Sequence, residues 1–441
     1  MYKIKLIISL FLLNLVSSCT DSEINKENYY MIDRSEYSNN LEGFWLGQSI
    51  ANWTGLITEM DKVGNIGEIK TGNFYTRENW GKKDEPNIWL PTSEYDIIDF
   101  VLKENKEVWG SDDDTDIEYM YQELLFHNND IILSPENIRD GWLKHIKKEE
   151  ENFLWVSNQK AFDLMSDGIL PPETSNPELN EHFDMIDAQL TTEIFGLLSP
   201  VNTINALKMS YLPIRTTSRG DAAMISEFYV SMHSLASTIN QNKPLNEELI
   251  RISELASRTL DKDSYSLKMY EYVKKKFESG IKWEQTRDSI YKRYQVDQMD
   301  GYDITSRNLY CNGCFASGIN FASSIVSLLY GEGDLKETIK IGTLSGWDSD
   351  NPTATWGGLL GFMYGKEGVE KAFDHKFSDK FNIHRTRVNF PNNGMDNFKN
   401  MSKTGIYIID RVVQEEMNGG IDLEKNVWYI PSIDLKIEPN K

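Results

Sequence analysis

The sequence feature that most constrains the fold is a stretch late in the chain, SGWDSDNPTATWGG, at residues 345–358. Two carboxylates, Asp348 and Asp350, precede Pro352, whose fixed φ suits the first position of a helix. Asp350 or Asn351 would then cap that helix. The residues that follow are small or apolar, so we predict a helix that packs against protein on most sides. Acids buried there either cap the helix or bind a divalent cation, and for an isolated pair capping is the more common case.

A second stretch, residues 43–59, places a single acid at the end of a closely packed helix. Gly43, Gly47 and Ala51 recur every four positions and form a helix face that another backbone can approach. No ionisable residue precedes Glu59 in this stretch. Glu59 is therefore either a surface acid just past the helix end or part of a site.

A third stretch, SDDDTDIEYM, contains three consecutive acids, Asp112, Asp113 and Asp114. Apolar residues follow at helical spacing from Ile117, which places the acids in the first turn of an amphipathic helix. The helix dipole stabilises one acid there, but three adjacent acids repel one another unless a cation bridges them. This pattern strengthens the metal interpretation of all three stretches.

The composition sets the size of the fold and excludes one class of partner. The chain has 441 residues, of which 40% are hydrophobic, enough for a large core. Its formal net charge is −22, so it lacks the basic footprint that neutralises phosphates, and we expect no nucleic-acid partner.

The first residues predict export. Lys3 and Lys5 precede an apolar run, Leu6–Val16, which small residues and Cys19 follow. The run is too short to span a membrane, and the cysteine resembles the lipidation site of bacterial lipoproteins. We predict a signal peptide at residues 1–18, lipidation of Cys19 and a polar tether at residues 19–40. The mature protein would be an exported bacterial lipoprotein, anchored to a membrane only through its lipid, with the outer membrane favoured and the domain facing the periplasm or the surface.

The two remaining cysteines, Cys311 and Cys314, are separated by Asn-Gly. In an exported protein this spacing suits a small disulfide or half of a metal site, but two sulfurs without nearby histidines make a poor zinc site. We therefore predict that Cys311 and Cys314 are buried or loosely paired thiols.

The rest of the chain has helical periodicity and no long alternating strand pattern, so the fold is predicted to be all-α. We expect one domain over residues 41–375 and a helical extension packed on it over residues 376–441, with a helix at about 395–417. Ser218 to Asp221 precede another helix, whose free N–H groups could bind an anion, although an ordinary cap fits the same residues.

Three motifs, GFWLGQSIANWTGLITE, SDDDTDIEYM and GWDSDNPTATWGGLLG, stand in the order that is typical of the ADP-ribosylglycohydrolase family. The resemblance covers about residues 41–370. It implies an all-α orthogonal helical bundle with a binuclear Mg²⁺ site in a central cleft. The supporting stretches GILPPETS and IDAQLTTEIFG also resemble bacterial members.

The resemblance also assigns site residues. Asp113, Asp114, Asp348 and Asp350 match the family's metal-binding acids, and Glu59 matches the acid that acts on water or on the leaving group. Two positions depart from the family pattern. Both usually hold threonine in the family, and here they hold Asp112 and Asn351, which we also predict to be metal ligands. The family's phosphate-contacting loop is matched loosely by the predicted substrate contacts Ser218, Gly220 and Asp221.

The predicted activity is a metal-dependent glycosidic hydrolysis at C1″ of an ADP-ribosyl or related ribosyl group. Oxygen ligands favour two Mg²⁺ ions, with Mn²⁺ or Ca²⁺ as alternatives, and such ions can chelate a ribose diol and orient water. The partner would be a small-molecule or ADP-ribosylated substrate. The alternatives are the same chemistry on another extracellular furanoside or nucleoside-like glycoside, and a degenerate member that only binds ligand.

Overall fold

The computed structural model describes residues 29–85, 96–148, 151–307 and 309–432. Helices dominate this part of the chain, which confirms the predicted all-α class. The helices are α1 Arg34–Gly55, α2 Asp113–His127, α3 Pro135–His145, α4 Val156–Ser166, α5 Ile194–Leu197, α6 Thr203–Thr217, α7 Asp221–Leu235, α8 Leu245–Ala256, α9 Tyr265–Glu278, α10 Trp283–Ile290, α11 Ser317–Tyr330, α12 Leu335–Ser345, α13 Asp350–Phe373 and α14 Phe398–Glu415.

In the described ranges, six short strands join distant parts of the chain in two small sheets. One sheet has the order β1-β6-β5, and the other has the order β2-β3-β4. In the first, Tyr29 pairs with Pro431 and Asp33 with Val427, so the first and last described segments lie side by side. The strands are β1 Tyr29–Asp33, β2 Trp109–Gly110, β3 Lys380–Asn382, β4 Met395–Asn397, β5 Gly420–Asp422 and β6 Val427–Pro431.

Helices α1 and α13 are in backbone contact, as the small-residue pattern predicts. A Cβ atom on Gly47 would lie 2.3 Å from the carbonyl oxygen of Gly357, and one on Gly55 would lie 2.4 Å from the Cα atom of Asp350. Residues later in α1 contact residues earlier in α13, so the two helices are antiparallel. The end of α1 therefore lies against the start of α13, where the acids are.

Backbone hydrogen bonds also join the segment after α1 to the segment before α13. The N–H of Trp347 donates to the carbonyl oxygen of Lys62, and the N–H of Met60 donates to that of Trp347, both at 2.8 Å. Trp347 and Met60 adopt φ values of +58° and +60°, which few residues other than glycine adopt. These bonds hold Glu59 close to Asp348.

The start of α13 differs from the prediction by two residues. The helix begins at Asp350 and its N-cap residue is Ser349, whereas the sequence predicts Pro352 at the first helical position. The Ser349 hydroxyl donates to the carbonyl oxygen of Gly55 at 3.0 Å. Asp350 is thus in the first turn and its carboxylate is not needed as a cap.

The predicted tether is wrong for its last twelve residues. Residues 29–33 form β1, and α1 begins at Arg34, with the Asp33 side chain accepting from the N–H groups of Ser35 and Glu36. The signal peptide and Cys19 lie outside the described residues, so their assignment stays a prediction. Within the described ranges, no helix combines the length and the apolar character that membrane crossing requires.

The cysteine prediction is also wrong, because Cys311 and Cys314 form a disulfide. The C-terminal segment contains the predicted helix as α14, but it also contributes four strands. One face of α14 is apolar and packs on α1 and α2, with buried residues at helical spacing: Phe398, Met401, Gly405, Ile408, Ile409 and Val412.

Candidate metal centre

The three acidic motifs meet at one cavity of about 240 Å³. The segment after α1, the first turn of α2 and the first turn of α13 supply most of its polar lining. Among the described residues, eight acids line it: Glu59, Asp112, Asp113, Asp114, Asp116, Asp187, Asp348 and Asp350.

The first group of acids lies at the start of α2. Asp112 is the N-cap residue, and its side chain accepts from the N–H of Asp114 at 3.2 Å. One carboxylate oxygen from each of Asp112, Asp113 and Asp114 lies within 4.8 Å of the others. This spacing is short enough for one cation to contact all three.

The second group consists of Glu59, Asp348 and Asp350, whose oxygens meet the same 4.8 Å limit. The N–H of Asp348 donates to the side-chain oxygen of Asn320 at 3.2 Å, which fixes the segment between α12 and α13. The two groups adjoin, because the Asp350 carboxyl hydrogen-bonds with those of both Asp348 and Asp114.

Burial and mutual repulsion raise the pKa of these carboxyls. Burial first and the nearby Asp350 second raise the pKa of Asp112 to about 8. The same causes raise the pKa of Glu59, Asp113 and Asp114 well above the ordinary range, burial again being the larger. So many acids cannot all be ionised in one small volume without cations.

The unpartnered atoms of the site fit divalent cations. Within the described part of the chain, Asp350 Oδ1 and Asp112 Oδ2 are buried and have no hydrogen-bond partner. A buried polar atom without a partner is costly, and a cation removes that cost. All six ligand candidates are carboxylates, which suit Mg²⁺, Mn²⁺ or Ca²⁺ better than zinc.

Comparison with known proteins decides the family. A sequence profile described as ADP-ribosylglycohydrolase matches residues 33–386. The chain belongs to the ADP-ribosylglycohydrolase family. One solved structure, described as "ADP-ribosylglycohydrolase-related protein complex", is 14% identical with a TM-score of 0.48, and the alignment covers 85% of this chain and 98% of that one. Among curated proteins, none matches the chain.

In this ADP-ribosylglycohydrolase family member, both ends of the Asn351 amide bind protein groups. Its nitrogen donates to Asp114 Oδ1 at 3.1 Å, and its oxygen accepts from Gln189 Nε2 at 3.0 Å. Asn351 therefore orients Asp114. A metal-ligating role for it stays a prediction, since its oxygen would first have to leave Gln189.

The predicted substrate contacts of this family member lie elsewhere in the described structure. Ser218, Gly220 and Asp221 are absent from the described lining of the cavity. Asp221 Oδ1 instead accepts from the backbone N–H of Ser266 at 3.0 Å and from its hydroxyl at 2.6 Å. Asp221 thus joins α7 to the start of α9.

The sequence analysis missed a second side of the cavity. Arg387, from the segment after β3, makes a buried ion pair with Asp116, with 3.0 Å between Nε and Oδ2. His384 of the same segment also lines the cavity. Both residues follow the last recognised motif. The pairing of β3 with β2 and the hydrogen bond from the His384 N–H to the Ser111 hydroxyl bring them to the start of α2.

Asp187 and three aromatic residues were missed as well. Asp187 is 5% exposed and lies in the segment before α5, within the stretch IDAQLTTEIFG, where a single acid does not by itself predict a site residue. Phe153, Trp155 and Phe315 line the cavity beside it, and Trp155 is 50% exposed. Phe153 has a φ of +55°, a conformation that no sequence pattern predicts.

Proposed function

We propose that the protein is a metal-dependent glycosidic hydrolase that cleaves the C1″ bond of an ADP-ribosyl or related ribosyl group. The observation that carries the proposal is the meeting of two carboxylate groups, Asp112–Asp114 and Glu59 with Asp348 and Asp350, in one cavity. Family membership supports the class of reaction. The arrangement has the oxygen donors and the acid that such chemistry requires.

We assign two divalent cations to these groups, Mg²⁺ first and Mn²⁺ or Ca²⁺ as alternatives. Asp112, Asp113 and Asp114 would hold one ion, and Asp348 and Asp350 would hold the other. When bound, such ions polarise sugar hydroxyls and lower the pKa of water. Asn351 keeps Asp114 in place through its 3.1 Å hydrogen bond.

Glu59 is assigned the proton transfer. It lies half-buried at the end of α1, in reach of Asp348 and Asp350, and it lines the cavity. Burial, reinforced by Asp350 and Asp113, raises the pKa of its carboxyl well above the ordinary range. A carboxyl tuned in this direction can take a proton from an attacking group or give one to a leaving group near neutral pH.

A second candidate substrate is a furanoside or nucleoside-like glycoside without phosphate, and Asp187 in the cavity wall favours it. A ligand-binding protein without catalysis is the third alternative. It is disfavoured because Glu59, Asp113, Asp114, Asp348 and Asp350 are all present and the structure brings them together.

We also propose that the protein is exported and held to a membrane by lipid on Cys19. The charged and apolar N-terminal residues before that cysteine support this. The disulfide between Cys311 and Cys314 supports it independently, since disulfides persist in oxidising compartments.

The decisive test of the function is release of free sugar from an ADP-ribosylated peptide and from a panel of furanosides. Wild type is compared with Asp348→Asn and Glu59→Gln, each with Mg²⁺ and with EDTA. Turnover that requires Mg²⁺ and is lost in both variants is the expected result. No turnover on any substrate would overturn the enzymatic proposal, and turnover unchanged by EDTA and by both variants would overturn the site.

A further inference from the structure

The N-terminus of α4 forms part of the cavity wall. Trp155, its N-cap residue, and Val156, its first residue, both line the cavity. Trp155 supplies no side-chain hydrogen bond to the helix. The first N–H groups of an eleven-residue helix attract anions, so this end of α4 is the natural position for a substrate phosphate.

Asp187 already occupies that position. Its Oδ1 atom accepts from the N–H of Asn158, the third residue of α4, at 2.8 Å. Burial raises the pKa of this carboxyl, and its hydrogen bonds to α4 act in the opposite direction. Asp187 comes from the segment before α5, is 5% exposed and lines the cavity. The protein's own carboxylate thus takes the place of a bound anion.

The remaining charges of the cavity also oppose a phosphate. Two divalent cations would offset four of the eight negative charges, and Arg387 would offset a fifth. Arg387 is the one arginine or lysine among the described lining residues. Its guanidinium is already paired with Asp116 and donates to the carbonyl oxygen of Asn152 at 2.6 Å. Burial and nearby arginines lower the pKa of His384, which keeps it neutral.

The wall beside Asp187 suits an uncharged ring. Trp155 is half exposed at the mouth, and Phe153 lies 6.1 Å from it, centroid to centroid, in an edge-to-face arrangement. Aromatic faces of this kind bind the flat face of a base or the apolar face of a sugar.

We propose that the cavity binds a glycoside that has no phosphate, such as a nucleoside, and that Asp187 excludes diphosphate-bearing substrates by occupying the N-terminus of α4. This inference rests on the proposed glycosidic hydrolysis at the site, and among the candidate substrates it selects the phosphate-free glycosides over ADP-ribosyl groups. Asp187 is a specificity-determining residue in this scheme and takes no part in the bond cleavage.

The experiment is equilibrium binding of adenosine and of ADP-ribose to the full mature chain in Mg²⁺, measured by calorimetry. The comparison is among wild type, Asp187→Asn and the control Asp163→Asn, which removes the same charge from an exposed position on α4. Wild type and the control should bind adenosine at least about tenfold more tightly than ADP-ribose. Asp187→Asn should increase the affinity for ADP-ribose about tenfold and change the affinity for adenosine by less than about threefold.

Each other outcome contradicts the inference. Wild type that binds ADP-ribose as tightly as adenosine, or that binds neither, would overturn it, and so would an unchanged affinity ratio in Asp187→Asn. Arg385, whose guanidinium lies 4.7 Å from the Phe153 ring centroid, is the rival phosphate ligand. Loss of tight ADP-ribose binding in Arg385→Ala would identify Arg385 as a phosphate ligand and refute the proposal that Asp187 excludes diphosphates.

Two provisions keep the test decisive. If Asp187→Asn fails to fold, Asp187→Ser takes its place, because it keeps a hydroxyl oxygen at the start of α4 without the charge. The same change in the ratio of ADP-ribose to adenosine affinity is expected for this variant. Binding is measured apart from turnover. A protein that binds adenosine selectively but releases no sugar would therefore refute the proposed function and leave the inference supported.

Discussion

Two groups of acids, each with members on or at the start of α2, have different surroundings. Asp112, Asp113 and Asp114 open the helix and face the cavity, whereas Glu118, one turn later, is fully buried and adjoins Glu193. Burial raises the pKa of carboxyls in both groups, that of Glu193 to about 7.

The difference lies in whether an acid that keeps an unpartnered oxygen also lines the cavity. Glu118 accepts from Gln48 Nε2 and from the N–H of Ile194, both at 2.6 Å, and Glu193 accepts from the Thr355 hydroxyl at 2.7 Å. Glu193 Oε2 also has no hydrogen-bond partner among the described residues, but neither Glu118 nor Glu193 lines the cavity, whereas the partnerless Asp112 Oδ2 and Asp350 Oδ1 belong to acids that do. A raised pKa alone therefore does not mark a site. Unsatisfied oxygens that face a cavity do, because they require a ligand.

The largest expected effect is on catalysis. Glu59→Gln removes the proton-transferring carboxyl while keeping its size, and we expect sugar release to fall by about 10²–10⁴-fold. The measurement is the initial rate on the substrate that wild type turns over best in Mg²⁺. A fall of less than about threefold would place Glu59 outside the chemistry.

The next effect is on stability without metal. Asp350→Asn removes one negative charge from the repelling group, so in EDTA we expect the variant to match or exceed the thermal midpoint of wild type. In Mg²⁺ the order should reverse, because the variant loses a ligand. Scanning calorimetry in both buffers checks this, and a variant that gains as much from Mg²⁺ as wild type would contradict the assignment of Asp350.

The pH dependence of metal stabilisation is a further test. The pKa of Asp112, about 8, lies above its value in an unfolded chain, so the contribution of this carboxyl to the stability of the metal-free fold is largest in acid and is lost as pH rises through about 8. Mg²⁺ needs the deprotonated acids. The rise in thermal midpoint on adding Mg²⁺ should therefore be larger at about pH 8.5 than at about pH 6. A rise that is equal at both values would contradict the coupling.

The smallest effect is expected at the Glu118–Glu193 pair, which lies outside the cavity. In Glu118→Gln, the new amide mimics a protonated carboxyl, and Gln48 can turn so that its own unpartnered oxygen accepts from it. We expect the free energy of unfolding to change by less than about 1 kcal/mol and sugar release by less than about threefold. Chemical denaturation and rate measurements check these values, and a loss as large as that of Glu59→Gln would remove the distinction between the two groups.

Much of the site could be predicted from the sequence because its acids lie in short motifs at helix ends. The repeat of Gly43, Gly47 and Ala51 predicts a close helix contact, and the observed contact brings the end of α1 to the start of α13. Glu59 lies just after the end of α1 and Asp350 lies at the start of α13. The contact between these two helix ends therefore predicts that the two acids are close together.

The remainder depends on contacts between distant residues that have no local signal. Arg387 reaches Asp116 through strand pairing, and Asp187 reaches α4 through the fold of the segment before α5. The cap of α13 was misplaced because Pro352 suits several positions of a first turn. The disulfide was missed because the CNGC spacing is equally compatible with free thiols.

The measurement that tests the central claim most directly is a calorimetric titration of the metal-free chain with Mn²⁺ or Mg²⁺. Wild type, Asp350→Asn and Glu118→Gln form the set, since one variant alters the cavity group and the other alters the Glu118–Glu193 pair. The account predicts two ions bound to wild type and to Glu118→Gln, and loss of at least one in Asp350→Asn. Equal binding by all three proteins, or no binding by wild type, would contradict it.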